Sequence, residues 1–217
     1  VGIFDYFFEF FHEETATLAV PNAATLQRIL HEIATPVFQK MNIQPTNNVY
    51  RWASDYNEHG IQKVIQFRHR AAEGNFLIGT NFKFMPVINS KQKIVYKRKE
   101  LHLYESFNSM IPTKHKISLW NEKLFEISLK KQLKKQASRL DRFFLQLETV
   151  PQNRELTQKQ LQSKDGTYTI REPNLNYILA FLKAKLGEKE KATELLHAYL
   201  NTYNEAPSKI LAYLEKL

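Results

Sequence analysis

The sequence predicts an α+β fold: an antiparallel sheet of four or five strands flanked by helices and followed by a C-terminal helical hairpin. Three observations predict it. Apolar residues recur at helical spacing up to Met41 and again after Trp120, but between them, from Asn47, the period changes to two. The short stretches Asn57-Glu58-His59-Gly60 and Ala71-Ala72-Glu73-Gly74 read as hairpin turns between runs rich in aromatic and branched residues. With 217 residues, 43% of them apolar and 24% charged, the chain can bury a full core. The expected organisation is an aromatic N-terminal helix over 1–20, an α+β domain over 21–150 and a helical region over 151–217.

At the start, Ile3, Phe4, Phe7, Phe8 and Phe11 lie at helical spacing, with Asp5, Glu9, Glu13 and Glu14 elsewhere. The stripe suits docking on the core or on a neighbouring chain. An interfacial membrane anchor is the competing reading, but such helices usually carry Lys or Arg where this one carries acid. The segment has neither a basic leader nor a small-residue cleavage site, so it does not read as a secretory signal.

Ala23 to Met41 repeats Leu26, Ile29, Leu30, Ile33, Val37, Phe38 and Met41, an amphipathic helix with Asn22 as N-cap. Pro36 lacks an amide proton and is expected to kink or divide it. Strands are expected over Asn48–Tyr56, Ile61–Arg70 and Asn75–Met85, with a fourth inside Ile94–Tyr104 interrupted by the charges of Lys97 to Glu100. In the third, Phe76, Ile78, Thr80, Phe82 and Phe84 point one way, and Asn75, Leu77, Gly79, Asn81 and Lys83 the other. One face is then packed and the other largely polar.

Trp120-Asn121 leads into a long helix reaching about Glu148, its buried stripe Phe125, Leu129, Leu133, Leu140, Phe144 and Leu147. Pro151 is expected to end it. A short helix over Glu155–Gln162 and a turn at Lys164-Asp165-Gly166 follow. Helices over Asn174–Leu186 and Lys189–Tyr203 join at Gly187, and Ser208–Leu217 is a last short helix. Leu186-Gly187, Ala192, Leu196 and Leu200 resemble the second half of a tetratricopeptide repeat, but with one copy visible they read as a lone hairpin.

The formal net charge of +9 is uneven. From Lys83 to Arg142 there are 15 Lys or Arg against five acidic residues, and the rest of the chain holds 16 basic and 17 acidic residues. Candidate anion- or partner-binding residues are Lys97, Arg98 and Lys99 from the sheet, with Lys131, Lys135, Arg139 and Arg142 from the long helix. Gathered on one face, they would attract a polyanion or an acidic protein. Tyr96 and Tyr104 nearby could stack on bases. The plainer account of the helix residues is a solvated face.

Other chemistry is sparse. There are no cysteines, hence no disulfides, thiolate nucleophiles or cysteine-held metals, which suits a reducing cytoplasm. The six glycines form neither a G-x-G-x-x-G nor a P-loop spacing, so the backbone cradles for nucleotide phosphates are missing. No two of the seven histidines are spaced i, i+4, and no metal site or cofactor is expected. No run approaches the roughly 18 apolar residues of a membrane span.

Several short segments carry a family resemblance: Ile33-Ala34-Thr35-Pro36, Val49-Tyr50-Arg51, Val64-Ile65-Gln66-Phe67, Asn81-Phe82, Ile111-Pro112 and Trp120. In this order they resemble a bacterial family catalogued as domain of unknown function 4304, over roughly residues 23–150. Members tend to carry an Arg-x-Arg-Ile-Gly-like segment where this chain reads Tyr104-Glu105-Ser106-Phe107-Asn108. The resemblance implies a fold rather than a reaction, since the family has no established activity.

The functional expectation is therefore a non-catalytic binding protein acting on an acidic protein partner through the basic face or the helical hairpin. Nucleic-acid binding through the same face is the alternative. A third is an enzyme whose site would show as a pocket where several of Arg51, His69, His102 and Glu105 converge. The sequence leaves the oligomeric state open.

Overall fold

The computed structural model describes residues 19–88, 93–107, 116–163, 168, 173–200 and 207–217. The aromatic segment 1–14, Ile111-Pro112 and the turn expected at 164–166 lie outside them. Helix α1 spans Ala23–Gln39 and is capped by Asn22, whose Oδ1 accepts the Thr25 amide proton at 2.9 Å. Pro36, expected to kink or divide it, does not divide it. Pro36 and Glu32 both face solvent, so the carbonyl left without an amide partner is open to water, and only three residues of helix follow.

The main antiparallel sheet has six strands, where the sequence suggested four or five. β1 (Gln44–Pro45), β2 (Arg51–Tyr56), β3 (Ile61–Arg70) and β4 (Glu73–Phe82) are consecutive neighbours, and β7 (Leu103–Ser106) adds to β4. β1 and β8 (Ile117–Ser118), the latter paired with the first residues of β4, lie outside the strands read from sequence, and at two residues each they are too short to show a period. β5 (Val87–Ile88) and β6 (Ile94–Val95) form a separate two-stranded ribbon. The fourth strand expected over Ile94–Tyr104 is thus realised as β6 and β7, with a turn between them where the charges of Lys97 to Glu100 fall.

The β3–β4 hairpin is tighter than expected. Arg70 pairs with Glu73, leaving Ala71-Ala72 as a two-residue loop with Ala71 at φ 49°, so Glu73 and Gly74 belong to the strand. The other turn is as read, with Gly60 at φ 73° and Asn57 Oδ1 accepting the amide protons of His59 and Ile61.

One sheet face carries Trp52, Ile65, Phe67, Phe76 and Ile78 against α1 and α2 (Glu122–Leu145). Helix α2 contributes Phe125, Leu129, Leu133, Leu140 and Phe144, and Asn121 caps it by accepting from the Leu124 amide. The Trp52 indole donates to Thr35 Oγ1 at 2.9 Å, so the polar edge of a fully buried ring is satisfied. Pro151 begins a helix instead of ending one: α3 is Val150–Gln162, with Pro151 in its first turn. Its buried side is polar (Asn153, Thr157, Gln160), which is why an apolar period does not announce it.

Helices α4 (Leu175–Lys185) and α5 (Lys189–Leu200) form the predicted hairpin through Gly187 at φ 82°. With α6 (Pro207–Glu215) they build a second cluster around Tyr177, Phe181 and Leu196 that also takes in Ile61, Phe82 and Leu103 from the sheet. No helix among the described residues is long and apolar enough to cross a membrane.

The approach of β7 to β4 is set by Gly79. A Cβ there would lie 1.9 Å from the Leu103 carbonyl oxygen, which is backbone and cannot swing aside. Gly79→Ala is expected to force the strands apart and to cost about 2 kcal/mol or more in chemical denaturation. An unchanged midpoint would show that β7 is not held there.

Candidate functional site

The site is built on the other face of the sheet, where Ala53, Val64, Leu77 and Tyr104 meet Leu101 of the β6–β7 connection. Two buried amides fix this connection. Asn81, with no solvent exposure, donates from Nδ2 to the carbonyls of Lys97 and Glu100, both at 2.7 Å, and accepts the Tyr56 hydroxyl proton at Oδ1, 2.6 Å away. Gln62 accepts the Lys99 amide proton at 3.1 Å and donates to the Ser54 carbonyl at 2.6 Å. Between these clamps Lys99 adopts φ 59°, a left-handed conformation that a lysine does not choose without compensation. His102 follows, buried, with Nδ1 accepting the Phe82 amide proton at 3.1 Å.

The clamped turn places Lys97 and Arg98 beside Lys83, Tyr56 and Tyr96 around a recess of about 200 Å³ at the end of β4. Glu100 is already engaged, 3.5 Å from Lys97 Nζ and 3.8 Å from Arg51 Nη1. Lys83, Arg98 and Lys99 have no ion pair among the described residues. Tyr96 is 47% exposed and lies edge-on to Tyr213 of α6, and Lys216 Nζ sits 5.9 Å from the Tyr213 ring centre. The basic turn and the C-terminal helices therefore meet at one rim.

Burial acts on the groups around the recess. The Tyr56 hydroxyl is pushed above its ordinary pKa by desolvation, which the Arg98 charge opposes. Tyr96 rises for the same first reason, with Tyr213 adding to it. Burial lowers the Arg51 guanidinium, Glu100 works against the shift, and the Arg51 Nε has no hydrogen-bond partner among the described residues. His102 is held down to about 3, by burial first and by the Lys97 charge second. It is neutral at physiological pH and acts as a fixed acceptor.

Of the residues predicted from sequence, Lys97, Arg98 and Lys99 are brought together. Lys131, Lys135, Arg139 and Arg142 are exposed on α2, which packs on the opposite sheet face. The seven do not form one continuous surface, because the sheet and its core stand between the two groups. Lys83, Tyr56, Asn81 and Lys216 were not among the candidate site residues read from sequence. Asn81 had a signal, being a polar residue in a strand otherwise ready to pack. Lys216 lies far outside the basic stretch and had none.

Arg51, His69, His102 and Glu105 do not converge. The His69 ring is stacked on Phe67, and Glu105 accepts from Gln160 and Tyr168. Arg51 pairs with Glu100, and His102 is sealed by Phe82 and Asn81. Glu188 bridges Lys183 at 2.8 Å and Arg154 at 2.7 Å. The Lys183 hydrogen bond draws its pKa below the usual carboxylate range. Among the described residues no group of three His, Asp or Glu is placed to hold a metal ion.

Compared with models of known protein families, with curated proteins and with solved structures, the chain matches none.

Two outcomes test the clamp. Asn81→Ala strands two carbonyls and a hydroxyl, so stability should fall by about 2 kcal/mol or more, and the Lys99 amide should exchange faster with deuterium. Protection at Lys99 equal to the parent would mean the turn holds itself. The second concerns acid. The unfolded chain protonates His102 near the ordinary 6.5 and the folded chain only near 3. Its contribution is therefore complete above pH 6.5 and is lost as pH falls toward 3, at about 1.4 kcal/mol per unit. His102→Gln should flatten that part of the stability–pH curve, and an unaltered slope would assign it to other groups.

Proposed function

We propose that the protein is a non-catalytic binding protein that engages an acidic segment of a partner protein at the Lys83–Lys97–Arg98 recess. One observation carries the reading: two buried amides hold a strained turn beside cations, of which Lys83, Arg98 and Lys99 have no ion pair among the described residues. Strain kept in place by buried hydrogen bonds is more often found at binding sites than on idle loops. The recess has room for one carboxylate-bearing side chain. Tyr56 and Tyr96 offer rings for its apolar part, and Tyr213 and Lys216 extend the surface along the C-terminal helices.

Nucleic acid is the second reading, favoured by the exposed Tyr96 ring beside two cations. It is less well supported because the four basic residues of α2, which would lengthen a track for phosphates, lie across the sheet. The resemblance to domain of unknown function 4304 enters this proposal as a relation of scaffold alone.

Fluorescence anisotropy with a labelled poly-glutamate peptide and a labelled single-stranded oligonucleotide separates the two. Lys97→Glu with Arg98→Glu should weaken the peptide about tenfold or more, as expected when partnered charges are reversed. The quadruple Glu variant of Lys131, Lys135, Arg139 and Arg142 should leave peptide binding within about twofold of the parent. Preferential oligonucleotide binding with a steep salt dependence, abolished by the α2 variant, would replace the proposal with the nucleic-acid reading. Peptide binding indifferent to the Lys97/Arg98 pair would remove the recess as its site.

A further inference from the structure

Across the sheet from the recess, a groove of about 670 Å³ runs between α1 and α2. Its floor is apolar: Ile33, Val37 and Met41 from α1 with Leu133 and Ala137 from α2. Ile33, Val37 and Met41 belong to the apolar period of α1, yet they stay half-exposed while Leu26, Ile29, Leu30 and Phe38 of the same helix are sealed. The rim carries three lysines, Lys40, Lys130 and Lys134, against one acid, Asp141 at its end. Lys130 is paired with Glu126, whereas Lys40 and Lys134 have no ion pair among the described residues. An apolar floor edged with lysine asks for an apolar stripe edged with acid.

The chain carries one. Residues 1–18 contain Asp5, Glu9, Glu13 and Glu14, no Lys or Arg, and the apolar set Ile3, Phe4, Phe7, Phe8 and Phe11 at helical spacing. We propose that residues 1–18 occupy the α1–α2 groove of their own chain, with the phenylalanines on the apolar floor and the carboxylates toward Lys40 and Lys134. Reach permits it. The described chain begins at Ala19, just before α1 starts at Ala23, and the groove lies along the second half of that helix. From Ala23 to Val37 the helix rises roughly 21 Å, while residues 15–22 can extend roughly 26 Å. The segment can therefore run back beside α1. The alternatives are a second copy's N-terminus or nothing from this chain, and each has its own signature.

The absence of cysteine makes cross-linking in the full-length chain clean. Glu9→Cys is combined with Ser138→Cys, an exposed groove position, or with Arg68→Cys, exposed on the far sheet face. Under mild oxidation the Glu9/Ser138 pair should form a disulfide within the monomer, at a rate independent of protein concentration and about tenfold or more above the Glu9/Arg68 pair. Adding Lys134→Glu should slow it several-fold. Equal rates for the two pairs would show an undocked segment and overturn the proposal. So would a product found only as a dimer, which would assign the groove to another copy. A rate unmoved by Lys134→Glu would overturn the charge pairing. All substituted positions but the terminal one are exposed, and circular dichroism of the reduced variants checks that each is folded. Peptide binding at the recess does not enter these readouts, so the two proposals fail separately.

Discussion

A buried amide must find partners, and in this fold that requirement at Asn81 organises one side of the molecule. The side chain sits in β4 where water cannot reach it, and leaving its donors and acceptor unmet would cost more than any single contact nearby returns. The β6–β7 connection supplies two carbonyls and β2 supplies a hydroxyl. Once the connection is drawn in, the route of the backbone is fixed to within one turn. The positive φ of Lys99 and the positions of Lys97 and Arg98 follow from it.

The opposite sheet face is organised by packing. Trp52 and Phe76 meet Phe38 and each other edge to face, Phe67 meets Phe76 in the same way, ring centres 5.2 to 6.2 Å apart, and α1 and α2 close over them. Further along the same face the interaction changes character. Thr80 donates to Asn153 of α3, and Asn153 returns two hydrogen bonds to the carbonyls of Leu147 and Thr149. That polar joint lets α3 sit between the two hydrophobic clusters, so that the C-terminal helices share a core with β3, β4 and β7. The same strand thus presents apolar side chains, a buried hydroxyl and a buried amide within seven residues, each answered by a different element.

Period and punctuation made much of this legible. Ile61–Arg70 was placed to the residue, and the capping asparagines at 22 and 121 located both long helices. What periodicity could not show was structure fixed by polar contacts or by too few residues to repeat. Helix α3 hides its start because its inward residues are Asn153, Thr157 and Gln160, and Pro151 looked like a terminator because a first-turn proline and a helix-ending proline read alike. Strand β8 spans two residues and is defined by its pairing with Glu73 and Gly74. For the site, the charge run was visible but its geometry was not. Counting cations along the chain cannot reveal that a sheet will come between Lys99 and Lys131.

That separation has an electrical consequence. The two cationic regions are divided by a packed, poorly polarisable layer, with the order of 20 Å between them once a helix and a sheet are stacked. The ionic atmosphere at physiological salt decays over about 8 Å, so each region's field fades before it meets the other. In dilute buffer the decay length exceeds the molecule's thickness and the two fields fuse into a nearly uniform positive envelope. The chain therefore offers two separate electrostatic poles at physiological salt and a single undifferentiated one at low salt.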